Sequence, residues 1–448
     1  MHTAVMMVPL LRSASGSALD RAGPFYLSFP RSTVLLVARL ARFRSSGIIA
    51  TTDARRKQTI IDATRAAEKL QSHYVEFAHR RNYMSQETIS QLRGWIAEQE
   101  LDAFLVTQPQ DRSYLSGWLN DDVEGAGMLL VGQREQLLLT NTLYKEAAEN
   151  EAAGWHVIIP EGREYAPAIV ELAKEYGWKK IGVESAAISY AEFEKISDAG
   201  QDIYTLLPFE RSFVDVLRQV KQPDELALLK QAIAITDETF AYICDWIQPG
   251  MTEKEVQWEI LHHMVMLGAD GAAFETIVAS GPHSSMPHAR ANQRRIQRGE
   301  PIIIDMGARY QGYCADMTRT ICLGEPADPR LLEVYHAVLH AMKTCESGIH
   351  AGITGKEADA LARDALEDLA QYYVHSTGHG VGLQIHEGPM LSPRAPEDML
   401  LPAGTVVTVE PGVYIPGWGG VRIEDCVLVT EKGTEVLTHS PTRLVIPR

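Results

Sequence analysis

The stretch Pro301–Thr320, PIIIDMGARYQGYCADMTRT, constrains the chain more than any other. Two strand-forming runs approach a short glycine-containing connection, the pattern of a β-hairpin, because glycine supplies the positive φ that tight turns need. The apolar run Ile302–Ile304 ends on Asp305, and the second run carries Asp316. A turn centred on Tyr310 and Gln311 predicts that the two aspartates face each other across the ladder, Cβ atoms roughly 5 Å apart. Two ionised carboxylates that close repel unless a cation or a shared proton lies between them. Taken alone, two aspartates so spaced are most often strand ends facing solvent. The rest of the chain decides between these readings.

A chain of 448 residues, 45% of them apolar, can build two or three domains with sizeable cores. Its formal charge of −16 argues against nucleic acid or an anionic membrane as partner. The five cysteines, odd in number and without a C-x-x-C, argue against a disulfide framework and for a cytoplasmic setting. No apolar run approaches the ~20 residues of a membrane-spanning helix. Residues 1–83 are different: they carry +8, rich in Arg and Ser, with no glutamate before Glu68. That composition is shared by transit peptides. The expectation adopted is a basic leader that is disordered, or an over-long reading of the gene with Met84 as the working start.

From Met84 the pattern becomes globular. Helical spacing through Ile89, Leu92 and Ile96 leads into the short strands LDAFLVTQ, MLLVG, LLLTN, HVIIP and KIGVES, with KEAAENEAA and APAIVELAKEYG as helices. Residues 84–215 therefore read as an α/β domain, with Trp118 as packing rather than chemistry. Charged residues from Arg218 to Glu225 mark the boundary to a second domain, 216–448, which opens with a helix over Glu225–Trp246. Thr252 with Glu255 forms a capping box, and Thr354 with Glu357 repeats it, each after a glycine and each followed by a histidine-containing segment, ASGPHSSMPH and HSTGHGVGLQIH. The match predicts a duplicated half-domain with a pseudo-two-fold axis and a site where the halves meet.

Three further segments offer groups that bind cations. His379 lies in the glycine-rich TGHGVG, Glu410 ends the strand TVVTVE, and Glu424 lies in VRIEDCVLV, where alternation places Arg422, Glu424 and Cys426 on one face. A histidine in such a loop is more often structural, and Arg422 with Glu424 is as readily a salt bridge. Taken together, Asp305, Asp316, His379, Glu410 and Glu424 make a set of four carboxylates and one imidazole. Two divalent cations balance that charge, and the donors suit Mn²⁺, Co²⁺, Fe²⁺ or Zn²⁺. Such a pair supplies a hydroxide nucleophile at neutral pH and polarises a carbonyl, the chemistry of amide hydrolysis.

The order and context of IDMG, CADMTRT, GHGVG, VEPGVY and VRIED resemble the pita-bread metallopeptidases, the group containing aminopeptidase P, prolidase and methionine aminopeptidase. The stretch from Met84 through SYLSGW is similar to the creatinase-type N-terminal domain of the Xaa-Pro branch. The resemblance implies an α/β (α+β) architecture, a creatinase-type N-terminal domain followed by a pita-bread catalytic domain. It implies two bound metals, Mn²⁺ foremost, on Asp305, Asp316, His379, Glu410 and Glu424, with Glu410 also relaying a proton. His288 and His386 match histidines that contact the scissile amide and the substrate carbonyl, and Arg422 matches an arginine that supports the site. His262, His263 and His283 have no such match. The implied function is removal of an N-terminal residue preceding proline by a homodimer, with Xaa-Pro dipeptides the favoured substrates. Aminopeptidase P action on longer peptides, hydrolysis of small non-peptide amides, and a noncatalytic protein-binding module are the alternatives.

Overall fold

A computed structural model describes residues 87–120 and 126–447, all within one compact unit, Phe77–Arg448. The expectation for the basic leader lies outside the described residues. Ile89, Leu92 and Ile96, each fully buried, share one face of a helix through residues 87–98, as their spacing predicts. A six-stranded sheet follows, in the spatial order His156–Ile158, Gln136–Thr140, Gly127–Gly132, Ala103–Val106, Lys180–Glu184, Thr205–Phe209. Its central strands AFLV and GMLLVG are buried throughout, because elements cover both faces. The edge strand Thr205–Phe209 escaped the sequence reading. Pro208 interrupts its pattern, and an edge position is where a strand tolerates proline. Trp118, 1% exposed, packs in this region's core with Leu115 and Tyr144.

The second half begins with helix Pro223–Trp246, capped reciprocally by Gln222 and Glu225. The repeat read from the sequence extends to tertiary contacts. Thr252 and Thr354 each accept from the backbone N–H of the glutamate three residues on, and each forms an isolated antiparallel bridge, with Arg295 and Leu400 respectively. Just inside each helix a polar side chain ties down the histidine-bearing segment: Gln257 Nε2 donates to Thr276 O, and Asp359 Oδ1 accepts from Thr377 N. One repeat contributes the strands Met317–Leu323, Ile302–Met306 and Ile277–Ser280, and the C-terminal strand Val445–Ile446 joins that sheet beside Met317–Leu323. The other contributes Glu387–Leu391, Gly378–Gly380, Val406–Val409, Asp425–Thr430, Gly433–Val436.

Two local expectations are corrected. The hairpin turns on Gln311 (φ 47°) and Gly312 (φ 86°), so Tyr310 pairs with Tyr313, and Asp305 pairs with Thr318 rather than Asp316. Two successive positive φ values are what a two-residue type I′ loop demands, and glycine fits the second far better than tyrosine fits the first. The shift leaves Asp316 opposite Gly307, where Ala315 O would lie 1.8 Å from any added Cβ. A slip of two residues preserves facing, so both aspartates still share one side of the sheet. The run VRIEDCVLV is not one strand either. Gly419–Arg422 forms a two-stranded ribbon with Gly412–Ile415, while Asp425–Thr430 joins the larger sheet. At the break, Glu424 N donates to Thr318 O at 3.0 Å, which keeps a buried backbone group satisfied.

Candidate metal centre

The hairpin strand ends, the histidine strand and the break after Arg422 converge. One carboxylate oxygen from each of Asp305, Asp316 and Glu424 lies within 4.8 Å of the others. His379 Nε2 stands 3.6 Å from Asp316 Oδ2 and 3.3 Å from Glu410 Oε1, so all five expected ligand positions meet. Local bonds fix these side chains. His379 N donates to Thr408 Oγ1 at 3.1 Å, and its Nδ1 faces Gly380 O at 3.1 Å, which leaves Nε2 as the atom turned to the carboxylates. Thr318 Oγ1 donates to Glu424 Oε2 at 2.7 Å.

The electrostatics are those of a site short of positive charge. Burial first, and then the neighbouring carboxylates, push Asp316 and Glu424 well above the ordinary carboxylate range. Burial also raises Asp305, against the pull of Arg422. Glu410 goes the other way: burial favours its neutral form, but the hydrogen bond and charge of His379 outweigh that and hold it at about 2. His379 is raised in turn, since Glu410 overcomes the burial that disfavours its charge. Asp305 Oδ1 is buried and has no hydrogen-bond partner. Buried oxygens that repel one another, one of them unpartnered, beside a single imidazole nitrogen, fit a divalent cation.

Arg422 does not pair with Glu424. Its Nη2 meets Asp305 Oδ2 at 2.6 Å, Nε donates to Thr318 Oγ1 at 3.0 Å, and Nη1 donates to Tyr414 OH at 2.7 Å and to Pro287 O at 3.2 Å. The last contact brings the segment bearing His288 to the rim, exposed and near enough to lower the basicity of His375 and His386 through its charge. The His386 ring stands 4.4 Å from that of His379, nearly perpendicular, and burial followed by His379 lowers its basicity. A cavity of ≈310 Å³ opens beside it, lined by Gln110, Arg309, Cys314, Leu383 and Gln384 among others.

Sequence reasoning missed His375 and Tyr414. His375 Nε2 lies 2.8 Å from Tyr414 OH, and its Nδ1 bonds Ser376 O at 2.8 Å, which holds the ring 3.9 Å from Glu410 Oε2 and beside the Arg422 network. The available signal was its place four residues before His379 in the same glycine-rich segment. Of the histidines left without a role, His283 bonds the fully buried Glu253 at 2.8 Å, and His263 stacks on Tyr242.

Metallopeptidase family M24 matches residues 227–431, and the Creatinase/Prolidase N-terminal domain matches residues 89–220. An uncharacterized peptidase of Bacillus subtilis is 37% identical over 360 residues, 80% of this chain and 99% of the relative. An Xaa-Pro dipeptidase structure from Bacillus anthracis superposes with TM-score 0.75 at 39% identity, covering 81% of this chain and 99% of that one. An X-Pro aminopeptidase structure from Thermotoga maritima gives TM-score 0.71 at 35% identity, covering 78% and 98%.

Proposed function

The chain belongs to metallopeptidase family M24, and on that premise we propose that it hydrolyses Xaa-Pro dipeptides, releasing the N-terminal residue and proline. The observation that carries the proposal is the meeting of Asp305, Asp316, Glu424, His379 and Glu410 around an unpartnered, buried Asp305 oxygen. These five would hold two divalent cations, Mn²⁺ first, with Co²⁺, Zn²⁺ or Fe²⁺ compatible with the same donors. When bound, such cations supply Lewis acidity toward a carbonyl and bring the pKa of water near neutrality.

The chain's own groups supply the rest. Glu410, kept ionised by His379, accepts a proton from the attacking water and delivers it to the proline nitrogen as the C–N bond breaks. His288 and His386, on the rim, donate to the scissile amide and to the oxygen that gains charge. Arg422, fixed by bonds to Thr318, Tyr414 and Pro287, holds Asp305 through a single bond to Oδ2 and takes no part in proton transfer. The cavity beside His386 is on the scale of a small peptide.

The likeness to an X-Pro aminopeptidase favours one second reading, cleavage of longer peptides with proline second. Enzyme reconstituted with Mn²⁺, Co²⁺ or Zn²⁺ and offered an Xaa-Pro dipeptide, an Xaa-Pro-Xaa tripeptide and a non-proline control separates them. Dipeptide cleavage alone is expected; tripeptide cleavage moves the assignment to aminopeptidase. Failure to cleave any of the three with metal bound sinks both. We further propose a homodimer in a cytoplasmic setting, which fits the five free cysteines. Among the described residues no helix is long and apolar enough to cross a membrane. Light scattering of the purified enzyme checks the dimer.

A further inference from the structure

His386 sits in a segment, residues 381–386, that has no regular secondary structure. The ladder reaches only its neighbour Glu387, which pairs with Gly380, so other bonds hold the segment itself. Gly382 O accepts from Cys314 N at 2.7 Å at one end. At the other, Glu387, its side chain 7% exposed, is gripped by two cations: Lys221 Nζ at 2.5 Å from Oε1, and Arg218 Nη2 on Oε2. Arg218 Nη1 passes on to Asp111 Oδ1 at 2.6 Å, in helix Pro109–Ser116 of the N-terminal domain. Gln384, two residues before His386, receives Gln108 Nε2 at 3.1 Å and donates to Gln110 Oε1 at 3.4 Å, again from the N-terminal domain.

The four charges Asp111, Arg218, Lys221 and Glu387 balance, with side chains at most 7% exposed, and the more exposed Asp215 adds a further carboxylate 3.6 Å from Arg218 Nη1. Asp111 Oδ2 is buried without a hydrogen-bond partner, and burial and then the charge of Asp111 push the neighbouring Glu184 carboxyl well above its usual range. The oxygens of Glu184 accept from Thr107 N, Gln108 N and Ser212 Oγ, which ties the start of helix Pro109–Ser116 to this strand end. Loss of one member would strand a buried charge, so the set holds together as a unit.

We propose that Glu387 is a positioning residue for His386, and that the N-terminal domain, through Asp111 and the Gln108/Gln110 contacts, sets where His386 stands in the site. This rests on His386 serving the proposed hydrolysis. The test uses full-length Zn²⁺-loaded enzyme, an Xaa-Pro dipeptide, and histidine labelled at ¹³Cε1, with the His386 resonance assigned by its loss in His386→Ala. Glu387→Gln is expected to shift the His386 resonance, leave metal content unchanged, and lower kcat about tenfold with little change in KM. In the His386→Ala background the same substitution is expected to change kcat less than about twofold. Equal losses in both backgrounds, or an unmoved resonance, overturn the proposal. Should Glu387→Gln fail to fold, Asp111→Asn and Gln384→Ala carry the same cycle from the other end of the network. If wild-type enzyme cleaves no Xaa-Pro substrate, the functional reading falls, and the resonance still decides the positioning.

Discussion

Arg422 and Asp305 share a 2.6 Å ion pair that engages one carboxylate oxygen and leaves the other, Oδ1, buried without a hydrogen-bond partner. The pair therefore fixes the carboxylate through one oxygen, within the cluster it forms with Asp316 and Glu424, instead of neutralising the whole group. A lysine keeps the charge but cannot span Asp305, Thr318, Tyr414 and Pro287 at once. Arg422→Lys should cost roughly 10–100-fold in metal affinity or turnover, measured by metal titration and kcat. Asp305→Asn, which removes a negative charge at the same place, should lose metal outright. An Arg422→Lys enzyme with both quantities intact would show that charge alone suffices.

Removing metal should make stability depend on pH in a definite direction. Asp316 and Glu424 are raised in the folded chain by burial and mutual repulsion, and a raised carboxylate favours folding only while it is protonated. Their contribution is full below the unfolded pKa of about 4 and declines as pH rises toward the folded values. Glu410, held at about 2, contributes the opposite way, and that part is lost only as pH falls from about 4 toward 2. Chelated enzyme should melt at progressively lower temperature from pH 5 to pH 8, and metal-loaded enzyme should not. Metal binding at pH 7 should release protons, seen as a buffer-dependent binding enthalpy in calorimetry.

The cluster of candidate ligands was legible because charged residues at the ends of apolar strands are costly without a partner, and that anomaly survives any error of register. The register was not, since a two-residue slip keeps Asp305 and Asp316 on the same face. The break after Arg422 was hidden for a related reason: both flanking strands are buried on both sides, so alternation carries no signal. Arg218, Lys221 and Glu225 read only as charged markers of a domain boundary, and the structure buries all three. Their partners Asp111, Glu387 and Tyr313 come from distant parts of the chain, and no local pattern announces such pairings.

Tyr414 should matter beyond its bulk. Its hydroxyl takes a bond from Arg422 Nη1 at 2.7 Å and meets His375 Nε2 at 2.8 Å, and burial, against the pull of Arg422, pushes its ionisation to about 12. It therefore stays neutral and serves as a junction. Tyr414→Phe leaves Arg422 Nη1 with only Pro287 O and takes the partner from His375 Nε2, at a cost of about 1–3 kcal/mol for the unsatisfied buried group. The expected result is a melting point lower by a few degrees and a reduced kcat, with metal content close to wild type. Unchanged kcat would remove the His375–Tyr414 link from the working site.

Gly307 offers the sharpest test of the hairpin geometry. A Cβ there would meet Ala315 O at 1.8 Å and Ala315 C at 2.7 Å, and both are backbone atoms that no side-chain rotation can move aside. Gly307→Ala must therefore push apart the strands where Asp316 enters the site. A loss of at least about 3 kcal/mol in stability is expected, at the upper end for overpacking. Metal affinity should fall with it, because Asp316 shifts relative to Asp305 and Glu424. Gly271→Ala is the matched control: no atom lies within 4 Å of its added Cβ, and it pairs with Arg309, two residues after Gly307. That variant should stay within about 0.5 kcal/mol of wild type with metal affinity unchanged. Denaturant titration and metal titration of the two variants side by side decide the matter. A Gly307→Ala enzyme that binds metal normally would mean Asp316 is placed by something other than this crossing.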